Sequence, residues 1–323
     1  MKGVTLLTGL LCALWAPGTS AVQEQVTVVF AGDIMLDSLP GASIARGSDP
    51  FAAFAGILAK ADLAVGNLEC SVATTGKPEH KRFTFRADPR TLPVLARHFA
   101  AVGLANNHSG DFGKEALSET MAHLSENRVS FFGAGRDLAA AHEPLILERR
   151  GLRIAFLAYD EFQPRAFEAG ADYPGVAWSE DEQVVRDIRR ARELGAQIVL
   201  PFFHWGWEGE PEPCARQRLL AHELIDAGAD AVIGGHPHVT QGAELYHGKP
   251  IIYSLGNFVF DGFHEESTRT GWLLRLSMND HGVAHWDTVV AKQDEQGSPQ
   301  PALDAQSPCG DRTALWSCRA GRH

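Results

Sequence analysis

Five apolar runs in this chain end in residues able to bind a metal ion or move a proton. Ala31-Gly32-Asp33 closes the first, Gly66-Asn67-Leu68-Glu69 the second and Asn106-Asn107-His108 follows the third. Phe202-Phe203-His204 closes the fourth, and Gly234-Gly235-His236-Pro237-His238 the fifth. Two carboxylates with several neutral imidazoles suit borderline divalent ions such as Mn, Zn or Fe, whereas an all-oxygen set would suit Mg or Ca. A carboxylate shared by two such ions holds them about 3.5–4 Å apart, where a bridging water becomes a good nucleophile. Singly, each residue has a plainer use. Asp33 and Glu69 could cap helices or turns, Asn107 could occupy a left-handed turn, and a lone His204 could pack structurally. Only the His236/His238 pair rises above that background alone. Five such endings in one chain favour a shared metal site.

For these endings to meet, the runs must lie side by side with their carboxyl ends together, where open α/β sheets bind ligands. The pattern supports this. Strands are predicted over 26–31, 63–66, 102–105, 129–132, 198–203 and 231–233, with helices over 51–60, 91–99, 114–127, 181–194 and 215–227. The 181–194 helix is the clearest, with Val184, Val185, Ile188, Ala191 and Leu194 at helical spacing. Arg150-Gly151 reads as the turn of a hairpin joining 145–148 to 153–158. Beyond residue 240 the chain turns β-rich, over 243–246, 251–255, 272–277 and 284–290. Alternation followed by hairpins predicts an α/β (mixed α+β) fold, a four-layer αββα sandwich of two mixed sheets with helices outside. One domain is expected over 22–291, followed by a polar, loosely ordered tail at 292–323.

Six ordered stretches give the chain a resemblance to a known family. They are Phe30-Ala-Gly-Asp33, Gly66-Asn-Leu-Glu69, Leu104-Ala-Asn-Asn-His108, Phe203-His-Trp-Gly206, Gly234-Gly-His-Pro-His238 and Tyr253-Ser-Leu-Gly-Asn-Phe258. The chain resembles the CapA family, named for poly-γ-glutamate capsule synthesis, within the calcineurin-like metallophosphoesterase superfamily. The resemblance implies a metallo-dependent phosphatase-like fold and a site for two divalent metals. It implies that Asp33 and His238 bind the first metal, that Glu69 bridges both, and that Asn107, His204 and His236 hold the second. It places His108 beside them as a general acid, with Asn67 orienting Glu69. One departure stands out. The superfamily's first motif is Asp-x-His, but Asp33 is followed by Ile34 and Met35. The first metal thereby loses an imidazole, for which a thioether is a poor substitute. Trp205, Trp207 and Glu208 would either wall a substrate cleft or pack on a loop, Asn257 would support the site, and Arg86 is expected as a solvated surface cation.

At 323 residues and 45% hydrophobic composition the chain can bury a sizeable core. A formal net charge of −11 argues against nucleic acid as a partner. Met1-Lys2-Gly3, an apolar stretch over 4–17 and the small residues Gly18-Thr19-Ser20-Ala21 read as a secretory signal, residues 1–21. The alternative is an uncleaved membrane anchor with an extracytoplasmic domain. Secretion or a periplasmic location is expected, and such compartments permit disulfides. Of Cys70, Cys214, Cys309 and Cys318, the last two lie close together and are the favoured pair.

Three functions fit these expectations. The first is metal-dependent hydrolysis of a phosphoester. The second is binding or anchoring of an anionic surface polymer beside its synthesis and export machinery, with little turnover. The third is metal-assisted epimerisation of a peptide, which the altered first motif admits.

Overall fold

The computed structural model describes residues 25–320. Two mixed sheets hold the strand ends. The first has ten strands; its main path runs through Leu315–Arg319, Gln306–Asp311, Gly282–Gln293, Thr270–Asn279, Val26–Ile34, Leu63–Leu68, Ala101–Gly103 and Ser130–Phe132. Asn257–Val259 pairs beside Val26–Ile34, and Pro299–Pro301 beside Gly282–Gln293. The second sheet has six strands, in the order Thr240–Tyr246, Lys249–Leu255, Val232–Gly235, Ile198–His204, Leu152–Asp160 and Leu145–Arg149.

Side-chain alternation explains why the sheets stack. Along Leu152–Asp160, Ile154, Phe156 and Ala158 join the core between the sheets, while Ala155, Leu157 and Tyr159 face a second core. Ile198, Leu200 and Phe202 divide from Val199 and Phe203 in the same way. The second core is closed by Val184, Ile188 and Ala191 of helix Asp181–Glu193 and by Leu220, Ala221 and Leu224 of helix Ala215–Ala227. Phe30 and Phe156 meet across the sheet interface with ring centroids 5.9 Å apart. The central strands Ile198–His204 and Val232–Gly235 are buried on both faces, so they read as continuous apolar runs.

The predicted strands and the three long helices form close to their expected bounds. The expected helices over 51–60 and 91–99 shorten to 3-10 turns, Ala52–Phe54 and Pro89–Thr91, each followed by one α turn. Helix Ser38–Ala45 was not expected, because Pro40 and Gly41 obscure its pattern; Asp37 caps it, accepting Ser38 N–H at 2.7 Å.

The tail is not loosely ordered. Gln306–Asp311 and Leu315–Arg319 form a hairpin on the edge of the first sheet, with a disulfide joining Cys309 to Cys318. Composition hid it because its outer face is solvated; within Gln306–Asp311 only Ser307, Cys309 and Gly310 are buried. The predicted signal segment 1–21 lies outside the described residues. Among those described, no helix is long and apolar enough to cross a membrane.

Candidate metal centre

Asp33 lies near the end of strand Val26–Ile34, beside Leu63–Leu68, which runs parallel to it and leads into Glu69. In the second sheet His204 ends Ile198–His204, parallel to Val232–Gly235, which leads into His236 and His238. The parallel ends of the two sheets therefore deliver five chemical groups to one place. The glycines before His236 allow it. A Cβ on Gly235 would lie 2.7 Å from Asp33 Oδ1, and one on Gly234 2.1 Å from the Tyr253 carbonyl oxygen. His236 and His238 follow in left-handed backbone, at φ 91° and 56°. Such strain at non-glycine residues collects at functional sites.

Two sets of ligand atoms result, sharing Glu69: Asp33, Glu69 and His238, and Glu69, His204 and His236, each within 4.8 Å. Glu69 Oε1 lies 3.5 Å from His204 Nε2, 3.8 Å from His238 Nε2 and 3.9 Å from His108 Nε2. Asn107 Oδ1 is 2.7 Å from His204 Nε2, which is 3.1 Å from His236 Nδ1. Both carboxylate oxygens of Glu69 are buried without a hydrogen-bond donor. A buried carboxylate so placed is costly unless a cation answers it. The donor set fits a divalent ion.

Burial sets the titration of the cluster. It pushes the carboxyl of Glu69 well above the ordinary range, with the charge of Asp33 adding to it, and raises Asp33 despite His238 and Asn67. It drives the imidazoles of His204 and His236 well below their usual value, their histidine neighbours adding to the effect. A neutral imidazole is the form that binds metal.

The structure corrects the expected role of Asn67. Its amide donates to Asp33 Oδ1 at 2.9 Å and lies 3.3 Å from His204 Nδ1, so it orients those two rather than Glu69. Asn106 holds it, donating to Asn67 Oδ1 at 3.0 Å. Asn257 supports His238, with Oδ1 2.8 Å from Nδ1. Met35 is fully buried in the core, and its sulfur accepts Asp37 N–H at 3.1 Å. It supplies no replacement for the missing imidazole.

His108 stands at the edge of the centre, its Nδ1 2.7 Å from Asp111 Oδ2. Burial lowers its pKa, opposed by the Asp111 carboxylate. Lys81 pairs with Asp111 and donates to the Asn107 carbonyl at 2.7 Å. Sequence reasoning missed Asp111 and Lys81. His-x-x-Asp spacing could have flagged the first; nothing local marks the second. Asp160 was missed as well, although it ends an apolar run and pairs in register with His204. Burial raises its carboxyl to about 7.

Among the remaining candidates, Trp205 is a packing residue, fully buried and stacked on Phe203, with its indole N–H bound to the Tyr253 carbonyl. Trp207 is 70% exposed, whereas Glu208 lines a cavity beside His108 and His238. Arg86 is no free surface cation: its guanidinium donates to the Thr75 and Gly76 carbonyls and lies over Phe112.

The two stacked mixed sheets have the fold of a solved calcineurin-like phosphoesterase. That structure is YfkN of Bacillus subtilis, similar with a TM-score of 0.50 at 14% identity, over 84% of this chain and 91% of that one. The chain belongs to the family described as bacterial capsule synthesis protein PGA_cap, which it matches over residues 27–262. It is 31% identical to the capsule biosynthesis protein CapA of Bacillus anthracis, across 92% of this chain and 76% of the relative. It is also 31% identical to the PGA biosynthesis protein CapA of Bacillus subtilis, across 86% and 74%.

Proposed function

We propose that this protein is an exported, divalent-metal-dependent phosphoester hydrolase serving the synthesis of a poly-γ-glutamate-type surface polymer. The observation that carries the metal chemistry is Glu69, whose two buried oxygens lack donors and sit where the two ligand sets meet. Asp33 and His238 would hold a first ion with Glu69; Asn107, His204 and His236 would hold a second. Bound ions of the Mn, Zn or Fe type would acidify water and neutralise phosphoryl charge.

The chain's own residues account for the rest of the hydrolysis. A water oxygen bonds to phosphorus as the bond from phosphorus to the ester oxygen breaks. His108 Nε2 gives its proton to the departing alkoxide, and the proton released by the water restores His108 through solvent. Asp111 accepts from Nδ1–H, which fixes the ring and directs Nε2 toward Glu69. Lys81 balances the charge of Asp111.

Export is supported by the 1–21 segment and by the Cys309–Cys318 disulfide, since such bonds persist in oxidising compartments. The polymer assignment rests on the names carried by the relatives, with an anionic polymer or its phosphoester precursor as substrate and synthesis or export machinery as partner. The test is metal content and phosphate release, measured side by side for the wild type and Glu69→Gln with Mn present. The expected result is ester cleavage by the wild type alone. Bound metal without cleavage of any mono- or diester would overturn the reading.

A further inference from the structure

A cavity of roughly 270 Å³ opens beside the metal centre on the His108 side. Its base is formed by His108 and His238, the two imidazoles whose Nε2 atoms flank Glu69 Oε1 at 3.9 and 3.8 Å. Its walls are phenyl rings in continuous contact. Phe85 lies 4.5 Å from His108 and 5.6 Å from Phe260, measured between ring centroids. Phe260 and Phe263 are 5.4 Å apart, and each approaches His238, at 5.0 and 4.9 Å. Phe83 completes the wall and is 56% exposed, an unusual position for a ring that only packs. The charged groups in the cavity lining are Glu208 and Asp261; at its rim stands Arg82, whose guanidinium lies 4.9 Å from the centroid of the Phe83 ring.

We infer that this cavity is a subsite for a neutral, apolar leaving group, aromatic or branched aliphatic, on the ester hydrolysed at the metal centre. The inference rests on the hydrolase reading and deepens it. The residue assigned to protonate the leaving oxygen forms the cavity base, so the group attached to that oxygen occupies the cavity. Phenyl walls bind apolar or aromatic surface by burial and edge-to-face contact. Two carboxylates at the lining repel an anionic group, which places a polyanionic chain elsewhere on the cleft. The neighbouring cavity beside Asn107 has a mixed lining, with Lys81 and His80 facing Glu79 and Asp160.

The test uses the full chain loaded with Mn and two esters of comparably acidic alcohols, benzyl phosphate and ethyl phosphate. The subsite predicts a kcat/KM for benzyl phosphate higher by roughly ten-fold or more. Adding a carboxylate, as 4-carboxybenzyl phosphate, cancels the preference. Phe83→Ala combined with Phe263→Ala brings the benzyl-to-ethyl ratio of kcat/KM close to one. Benzylphosphonate and ethylphosphonate, which are not hydrolysed, provide a binding ratio by calorimetry on the same protein. Equal affinity for the two phosphonates overturns the subsite. Tighter benzylphosphonate binding without cleavage of either ester upholds the subsite and overturns the hydrolase reading.

Discussion

His238 Nδ1 lies 2.8 Å from Asn257 Oδ1, and the other face of the Asn257 amide is already committed to the Thr268 carbonyl at 2.9 Å. With its NH2 group donating there, Asn257 presents an oxygen to the ring. A ring proton on Nδ1 answers that oxygen, which leaves the Nε2 lone pair to face Glu69. Asn257 thus chooses which nitrogen of His238 can bind metal, although it binds none itself.

Removing that choice weakens the first metal site. Asn257→Leu should lower affinity there by roughly ten- to a hundred-fold, whereas Asn257→Asp, which keeps an acceptor, should restore most of it. Calorimetric titration of the metal-free protein with Mn checks both.

The two ions should bind unequally. The Asp33–Glu69–His238 set has one imidazole, while the Glu69–His204–His236 set has two and adds Asn107 Oδ1. Titration with Mn should resolve two steps. His204→Ala should remove the tighter and His238→Ala the weaker.

Glu69→Gln separates metal binding from folding. A buried carboxylate with no donor destabilises the metal-free protein at neutral pH, by an amount on the order of 1–3 kcal/mol. The variant should therefore melt no lower than wild type in chelator, yet lose the rise in melting temperature that Mn confers. A variant that melts several degrees lower without metal would contradict the assignment.

Stability should depend on pH in opposite senses with and without metal. Burial raises the carboxyls of Asp33 and Glu69 in the metal-free fold. An acid whose folded pKa exceeds its unfolded one stabilises fully below the unfolded value, near pH 4, and that contribution is lost as pH rises through the folded value. Metal reverses this by demanding the ionised form. The melting increment produced by Mn should therefore grow from pH 5 to pH 8, with proton release on binding. Melting curves in Mn and in chelator across that range decide it.

Reduction of Cys309–Cys318, which spans a sequence separation of 9, should destabilise the terminal hairpin. A loop of that size is worth about 2–3 kcal/mol. Cys318→Ser should raise hydrogen exchange over 306–319 while Mn affinity stays unchanged, because the hairpin lies at the sheet edge away from the Asp33 strand.

The sequence by itself determined the strand ends and the residue types at them. Apolar runs such as Ile198–His204 are long enough to name a buried strand, and an acid, amide or histidine at the end of each is a local fact. Helices with one apolar stripe, such as Asp181–Glu193, were equally legible. The tertiary structure alone decided what those ends do to one another. Asn67 turns toward Asp33 and His204 rather than Glu69, and Trp205 faces the helical core rather than the cleft, because each side chain's direction depends on strand twist and register. Lys81 reaches Asp111 and His108 from a separate segment of chain, and Phe85 joins Phe260 and Phe263 in one wall although it is distant from them in sequence. Local periodicity carries no information about such meetings. They arise only when two sheets, stacked on a shared apolar core, bring their carboxyl ends to the same place.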